Sequence, residues 1–273
     1  MSEGTFRRGV SVLSPKRPGE SAAMTAIADR RAAFRDLHRA GCFTIPNPWD
    51  GWTARKLAQA GFKALASTSA GAAWALGRED GALDVGAVLA HLAFLCGLTD
   101  LPVNADFEAG FADTPDGVAA HVARCIGTGV CGLSIEDQQG GRLFGRDEAV
   151  ARLRAARRAI DASGADVLLV GRCEAWLLDP VDLGEVVARL RAYAEAGADC
   201  LYAPGLRRLD AIAEVVRAVD RPVNANLTGT GLSVADLAGV GVRRVSVGAA
   251  LARATYDAFD AMVDRLAAEG RLP

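Results

Sequence analysis

Two near-copies of one phrase, Leu101-Pro-Val-Asn-Ala-Asp106 and Arg221-Pro-Val-Asn-Ala-Asn226, each run from apolar residues straight into polar ones. Alternate residues of a strand share a face, so the first phrase delivers Asn104 with Asp106 and the second Asn224 with Asn226. Other apolar runs end the same way, in Asp50, in Thr68 and Ser69, in Glu136 and Asp137, in Arg172 and Glu174, and in Tyr202. Asp80 and Glu108 sit in loops just beyond such ends. Carboxylates gathered on rigid strands repel one another unless a cation neutralises them, and oxygen ligands without Cys or His select Mg²⁺ or Mn²⁺. Arg172, a guanidinium among acids, suits bidentate capture of a carboxylate or phosphonate, and the Thr68-Ser69-Ala70-Gly71 turn can offer backbone N–H groups to an anion. The competing assignment is that these acids cap helices and pair with arginines on the surface.

The elements that must position these side chains follow one grammar: a short apolar run, a polar tip, then a helix-period stretch rich in Ala, Leu and Arg. Eight runs fit it: residues 42–46, 63–67, 101–105, 132–136, 167–172, 200–203, 222–225 and 243–247. Amphipathic stretches such as 149–162 and 183–196 lie between them. Alternation of this kind predicts a parallel sheet with outer helices, and the length from residue 29 to 273 suits a single (β/α)₈ TIM barrel of about 250 residues. A doubly wound open sheet would carry a glycine-rich phosphate loop after its first strand, whereas here that strand ends in Ile45-Pro-Asn-Pro-Trp-Asp50. In a barrel the chemistry sits at the C-terminal ends of the strands, where the polar tips fall. Residues 1–28, rich in Arg, Pro, Ser and Gly, read as a flexible arm, and Met24 is a candidate start of a shorter form.

Composition narrows the function. The 273 residues are 51% hydrophobic and 23% charged with a net charge of −2, which leaves no electrostatic footprint for nucleic acid. No apolar run reaches the roughly 20 residues of a membrane span, and the start lacks the apolar centre of a secretory signal, so a cytoplasmic protein with a small-molecule partner is expected. Cys42, Cys96, Cys125, Cys131, Cys173 and Cys200 form no CxxC pair and read as reduced, packed thiols. His38, His91 and His121 fall in helical stretches, which excludes a Ser-His-Asp site and a His-based zinc site at the strand tips.

Several ordered motifs carry a resemblance that spans nearly all of residues 34–268: Asn47-Pro-Trp-Asp50-Gly, Ser67-Thr68-Ser69-Ala-Gly with Ala75-Leu-Gly-Arg-Glu-Asp80, Pro102-Val-Asn-Ala-Asp106, Gly132-Leu-Ser-Ile-Glu136-Asp137, Arg172 with Glu174, and Gly197-Ala-Asp199-Cys-Leu-Tyr202-Ala-Pro204-Gly. As a set they resemble the isocitrate lyase and phosphoenolpyruvate mutase superfamily, in one of its uncharacterised bacterial branches. The resemblance implies a modified TIM barrel with a C-terminal helix exchanged between subunits, a homodimer or homotetramer, and Mg²⁺ holding a 2-oxo acid or its enolate while a C–C or P–C bond is made or broken. It assigns Asp106, Asp80, Glu136 and Asn104 to the metal, and Trp49, Thr68, Ser69, Ala70, Asn224 and Arg172 to substrate. Cleavage also needs an acid and a base, and with no His or lid Cys at the mouth the candidates are Glu136, Asp80 and Tyr202, with Glu174 weaker; with Arg172 they make up the catalytic set.

Three departures bear on the reaction. Asn104 stands where the best-known members have a metal-contacting Asp, so one negative charge is missing. The loop Glu136-Asp-Gln-Gln-Gly-Gly-Arg-Leu-Phe-Gly-Arg146 lacks the Lys-Lys-Cys-Gly-His sequence of isocitrate and methylisocitrate lyases; its Gly140-Gly141 pair is either a hinge for a short lid or a plain tight turn. The Lys, Thr and Asn loop of the phosphonate enzymes is also absent, and Pro204 replaces a mutase His. The expected function is therefore a Mg²⁺-dependent lyase on a small 2-oxo or 2-hydroxy (di)carboxylate, by C–C cleavage or decarboxylation. The alternatives are a phosphonopyruvate-type mutase or hydrolase and a non-catalytic oxo-acid-binding protein. Leu251, Phe259, Met262 and Leu266 recur at helical spacing near the end of the chain, as either an exchanged or an ordinary packed helix.

Overall fold

A computed structural model of the chain describes residues 20–178 and 182–272. In chain order the strands are β1 (Phe43–Ile45), β2 (Leu65–Ala66), β3 (Val103–Asp106), β4 (Gly132–Glu136), β5 (Gln138–Gln139), β6 (Arg142–Leu143), β7 (Leu168–Arg172), β8 (Cys200–Tyr202), β9 (Val223–Asn226) and β10 (Arg244–Ser246). The helices are α1 (Glu20–Leu37), α2 (Gly51–Gln59), α3 (Ser69–Ala75), α4 (Val85–Leu98), α5 (Pro115–Ile126), α6 (Arg146–Ser163), α7 (Ala175–Leu178), α8 (Leu183–Glu195), α9 (Leu209–Ala218), α10 (Val234–Gly239) and α11 (Ala250–Glu269). Many helices start on a side-chain cap that satisfies an orphan N–H. Asp50 and Thr53 form a capping box on α2, Thr114 caps α5 ahead of Pro115, and Ser233 and Asp236 close α10.

Eight strands pair in parallel in the order β1-β10-β9-β8-β7-β4-β3-β2. The Ala66 N–H donates to the Pro46 carbonyl at 3.0 Å and joins the two ends of that sheet, giving the (β/α)₈ barrel. Register places Arg172 beside Glu136 on one side and Tyr202 on the other, and Asn224 beside both Tyr202 and Arg244. The segment after β4 folds back as the two-stranded hairpin β5–β6. Gly140 and Gly141, at φ 57° and 77°, make its two-residue turn, a conformation that L side chains resist.

Phe34 of α1 plugs the N-terminal end of the barrel among Ile45, Ala66, Leu168, Val170 and Cys200. Its ring lies where a Cβ on Gly132, the first residue of β4, would stand, and it packs edge-on against His38 at 4.7 Å. The opposite faces of the strands, with Leu133, Ile135, Leu169, Leu201 and Val245, bury against the helices. Helix α1 begins at Glu20, within the stretch assigned to the arm, while residues 1–19 lie outside the described residues. The first half of α11 packs on its own barrel through Tyr256, whose ring is 6.3 Å from both Trp49 and Trp74. Further along, Phe259, Met262, Val263 and Leu266 are exposed. No helix among the described residues is long and apolar enough to cross a membrane, and all six cysteines are free thiols, five of them buried.

Because Phe34 is fully buried and closes the barrel floor, Phe34→Ala is expected to destabilise the fold by roughly 3–5 kcal/mol, read as a lowered midpoint in urea denaturation with an unchanged slope.

Candidate active site

Arg172, the last residue of β7, is the hub at the C-terminal mouth of the barrel. One terminal nitrogen, Nη1, lies 3.2 Å from Asp106 Oδ1 and 3.1 Å from Glu136 Oε2, and Nε donates to Glu174. The guanidinium carbon stands 5.6 Å from the centre of the Tyr202 ring. Burial works against its charge, but Glu136, Glu174 and Asp106 outweigh burial and raise its pKa well above the ordinary value. Burial shifts both Glu136 and Glu174 upward, with Arg172 opposing. The Gln138 amide, at the start of the hairpin, donates to Glu136.

Two backbone features complete the rim. Thr68 caps α3 by accepting from the Gly71 N–H at 3.3 Å, and the Ser69 N–H donates to Asp106 Oδ2 at 3.0 Å. The Ala70 N–H lies in the first helical turn, where the helix supplies no acceptor, and Ala70 lines the cavity. Beyond β3, Glu108 holds φ at 43° and Phe111 at 57°, strained values for residues with side chains. That bend keeps the Glu108 carboxyl beside the acids. Its pKa is raised to about 7, first by burial and then by Asp106 and Asp80, with Arg172 opposing. Burial, followed by Asp106, raises Asp80 as well, against hydrogen bonds from Ser69 and Gly81. Burial keeps the Tyr202 phenol protonated, with Arg172 opposing, and its oxygen accepts from Asn226 Nδ2 at 3.3 Å.

Thr68, Ser69, Ala70, Asp106 and Tyr202 line a polar cavity of about 240 Å³, which shares Ser69, Asp80 and Arg172 with a vestibule of about 650 Å³ under the hairpin, lined by Glu108, Glu136 and Gln138. Of the residues expected at the site, Asp80, Asp106, Glu136, Arg172, Tyr202, Thr68, Ser69 and Ala70 come together there. Two do not join them, and Asn104 reaches the cavity only at its floor. Trp49 packs beneath α3, where a Cβ on Gly71 would lie 2.8 Å from its own Cβ. Asn224 is buried lower in the barrel, donating to Ser246 and accepting from Arg244 Nε at 2.9 Å. Asn104 sits two residues below Asp106, roughly 6.7 Å of strand rise, and its oxygen accepts from Arg244 Nη1 at 3.2 Å. Asp50 is a helix cap, and Asp137 is structural: it accepts from the Glu174 N–H, Arg189 and Tyr193. Gln138 and Arg244 were given no role from sequence, and Glu108 was counted among the gathered acids without being assigned to metal, substrate or catalysis. Arg244 had a signal, since it shares the inward face of β10 with Ser246.

Among the described residues, no group of three or more Asp, Glu, His or Cys side chains is arranged to hold a metal ion. The donor chemistry nonetheless fits a hard divalent cation that keeps several of its waters. The donors are oxygen alone, and Asp80 and Glu108 are shifted upward first by burial and then by neighbouring carboxylates. Asp80, Asp106 and Glu136, with Glu108 beside them, are the residues that would hold it; Asn104 has its oxygen committed to Arg244.

The profile of the phosphoenolpyruvate phosphomutase family matches residues 34–267. The chain belongs to that family. Among solved structures of the family fold, one from Burkholderia cenocepacia J2315 with a provisional lyase/mutase description is 46% identical, covers 91% of each chain and superposes with a TM-score of 0.87. The 2-methylisocitrate lyase of Escherichia coli (strain K12) is 32% identical over 185 residues, 63% of this chain and 61% of that protein. The oxaloacetate decarboxylase of Pseudomonas entomophila (strain L48) is 30% identical over 248 residues, covering 84% and 83%. The family thus spans lyase and mutase chemistry on one barrel, and the reaction of a member depends on the side chains at its mouth.

The raised pKa of Glu108 has a defined sign. A carboxyl that is harder to ionise in the folded state opposes folding once ionised. Its penalty is absent below the ordinary value of 4.5 and complete above about 7, so stability falls as pH rises through that window. Without divalent cations, the melting temperature is expected to drop between pH 5.5 and 8. The drop should be smaller in Glu108→Gln, and Mg²⁺ should raise the melting temperature more at pH 8 than at pH 6. An identical pH profile in wild type and variant would exclude Glu108 as a source of the effect.

Proposed function

We propose that the protein is a divalent-cation-dependent lyase that breaks a C–C bond in a small 2-oxo or 2-hydroxy dicarboxylate, leaving an enolate or an equivalent carbanion. The observation that carries this reading is the mouth itself: one partly exposed guanidinium shared by Asp106, Glu136 and Glu174, with a helix start and a protonated phenol on the same cavity wall. A substrate carboxylate arriving at Arg172 exchanges with Asp106 and Glu136 as the partner of its planar fork. The Ala70 N–H meets a second substrate oxygen.

Cleavage needs a base for a substrate hydroxyl proton and an acid that returns a proton to carbon. Glu108, shifted to about 7, and Glu136 and Asp80, also shifted upward, are carboxylates basic enough for the first task. Tyr202 keeps its proton near neutral pH and supplies the second. A divalent cation, when bound, neutralises charge that develops on the substrate's 2-oxo oxygen. The β5–β6 hairpin, which carries Gln138 against Glu136, shields the cavity from one side. The relatives support C–C chemistry, since one named lyase and one named decarboxylase cover most of the barrel. A second reading, a protein that binds oxo acids without converting them, is favoured by one observation: Asn104, where relatives are expected to carry a metal-contacting acid, is tied to Arg244.

The test is release of pyruvate, glyoxylate or phosphate from 2-methylisocitrate, isocitrate, dimethylmalate, oxaloacetate and phosphonopyruvate, with Mg²⁺ and with chelator. The expected outcome is Mg²⁺-dependent C–C turnover that falls at least about 100-fold in Arg172→Ala. Phosphate release would move the assignment to P–C chemistry. Binding of oxo acids without any turnover would replace the lyase reading with the second one.

We also propose that the protein is a homo-oligomer. The exposed Phe259, Met262, Val263 and Leu266 of α11 form more apolar surface on one helix than a soluble monomer usually leaves open. Light scattering is expected to give at least twice the chain mass of 28.4 kDa, and Phe259→Asp with Met262→Asp should shift the protein toward monomer.

A further inference from the structure

The barrel holds two guanidinium groups at different depths, and they have opposite surroundings. Arg172 at the mouth is bonded to three carboxylates. Arg244, in the layer below, has only 3% of its surface exposed, and among the described residues it forms no salt bridge. Its Nε donates to Asn224 Oδ1 at 2.9 Å and its Nη1 to Asn104 Oδ1 at 3.2 Å, both neutral amides. Arg244 lines the floor of the 240 Å³ cavity together with Asn104, Ser134 and Ser246.

A guanidinium withdrawn from water without an opposite charge is costly, because neutral dipoles replace hydration only in part. Its surroundings make the deficit plain. Burial lowers the Arg244 pKa, and the groups that oppose burial are the Cys200 thiol and the Tyr202 phenol, both neutral near pH 7. Its field also reaches His38 beneath the barrel, which burial and Arg244 together lower to about 3. The protein thus places a full positive charge at the floor of a polar cavity, and among the described residues no salt-bridge partner meets it. The neutral amide at position 104 maintains this state, since a carboxylate there would lie within salt-bridge reach of Nη1.

We propose that Arg244 is a second anion-binding residue of the cavity and takes one carboxylate of a dicarboxylate substrate, whose 2-oxo or 2-hydroxy end lies above it among Arg172 and the acids. The proposal deepens the lyase reading and rests on it for the identity of the cavity. Asn104 and Asn224 are then positioning residues, which hold the guanidinium upright while leaving its charge uncompensated. The arrangement selects small dianions over monoanions, because a monocarboxylate satisfies only one of the two cationic groups.

The test compares binding of oxaloacetate, malate and malonate with binding of pyruvate, by isothermal titration in Mg²⁺-containing buffer. Wild type is expected to bind at least one of the dicarboxylates ten-fold or more tightly than pyruvate. Arg244→Gln should abolish that preference with pyruvate affinity held within about two-fold, and Arg244→Lys should restore part of it. Should the Arg244 variants fail to fold, Asn104→Asp gives the guanidinium an internal counter-ion: it should raise the melting temperature and lower dicarboxylate affinity ten-fold or more. Dicarboxylate affinity that is unchanged or tighter in Asn104→Asp, or a preference that survives in Arg244→Gln, overturns the proposal even where turnover is present. Loss of the preference in these variants of a protein that shows no turnover upholds Arg244 as the anion site and removes only the lyase reading.

Discussion

Everything at the mouth of this barrel depends on how negative charge is shared around Arg172. Asp106, Glu136 and Glu174 arrive from three different strand ends, and like charges brought together at low dielectric repel strongly. One planar guanidinium with donors on several edges can serve all three at once, which a lysine ammonium with a single charge centre does less well. Asp80 and Glu108, which Arg172 does not touch directly, both shift toward their protonated forms, first through burial and then through the neighbouring acids. The site is therefore held together by a cation it already has and is short of further positive charge.

A second buried network fixes where Arg172 points. Asp137 accepts from the backbone N–H of Glu174 at 2.6 Å and from Arg189 of α8 at 3.1 Å, and Tyr193 of the same helix donates to it. The turn after β7 is thereby pinned to β4 and α8, so Glu174 cannot swing away from Arg172 without breaking bonds to a nearly solvent-free carboxylate. Gly171 allows α8 to approach closely enough for this, because a Cβ there would stand 2.9 Å from that of Tyr193. Rigid placement of a charged group by a satisfied polar network is what preorganisation requires.

The fold and the upper half of the site were legible in the sequence because both follow from strand alternation and polar tips. Eight expected runs correspond to the eight barrel strands, with ends shifted by a residue or two. Alternation, however, reports which face a side chain takes and says nothing of its depth. Asn104 and Asn224 share a face with Asp106 and Asn226 but lie one layer lower, and so they read as rim residues when they are floor residues. Trp49 fell to the same limit, since its motif marks the end of β1 without revealing that the ring turns outward under α3 and α11. Glu108 needed a backbone angle that no spacing encodes.

The two layers also explain how one substitution can alter the whole axis of the barrel. With a carboxylate at position 104, Arg244 would be neutralised from within, and the cavity would present acids above and a closed ion pair below. With Asn104, the same backbone presents acids above and an uncompensated cation below, across a cavity of only about 240 Å³. Gly132 makes room for this choice, since a Cβ there would stand 2.7 Å from the Asn104 oxygen and drive it off Arg244. A field that reverses sign along so short a path orients any ligand with charge at both ends. The neutral residue at position 104 is thus best understood through the partner it leaves charged.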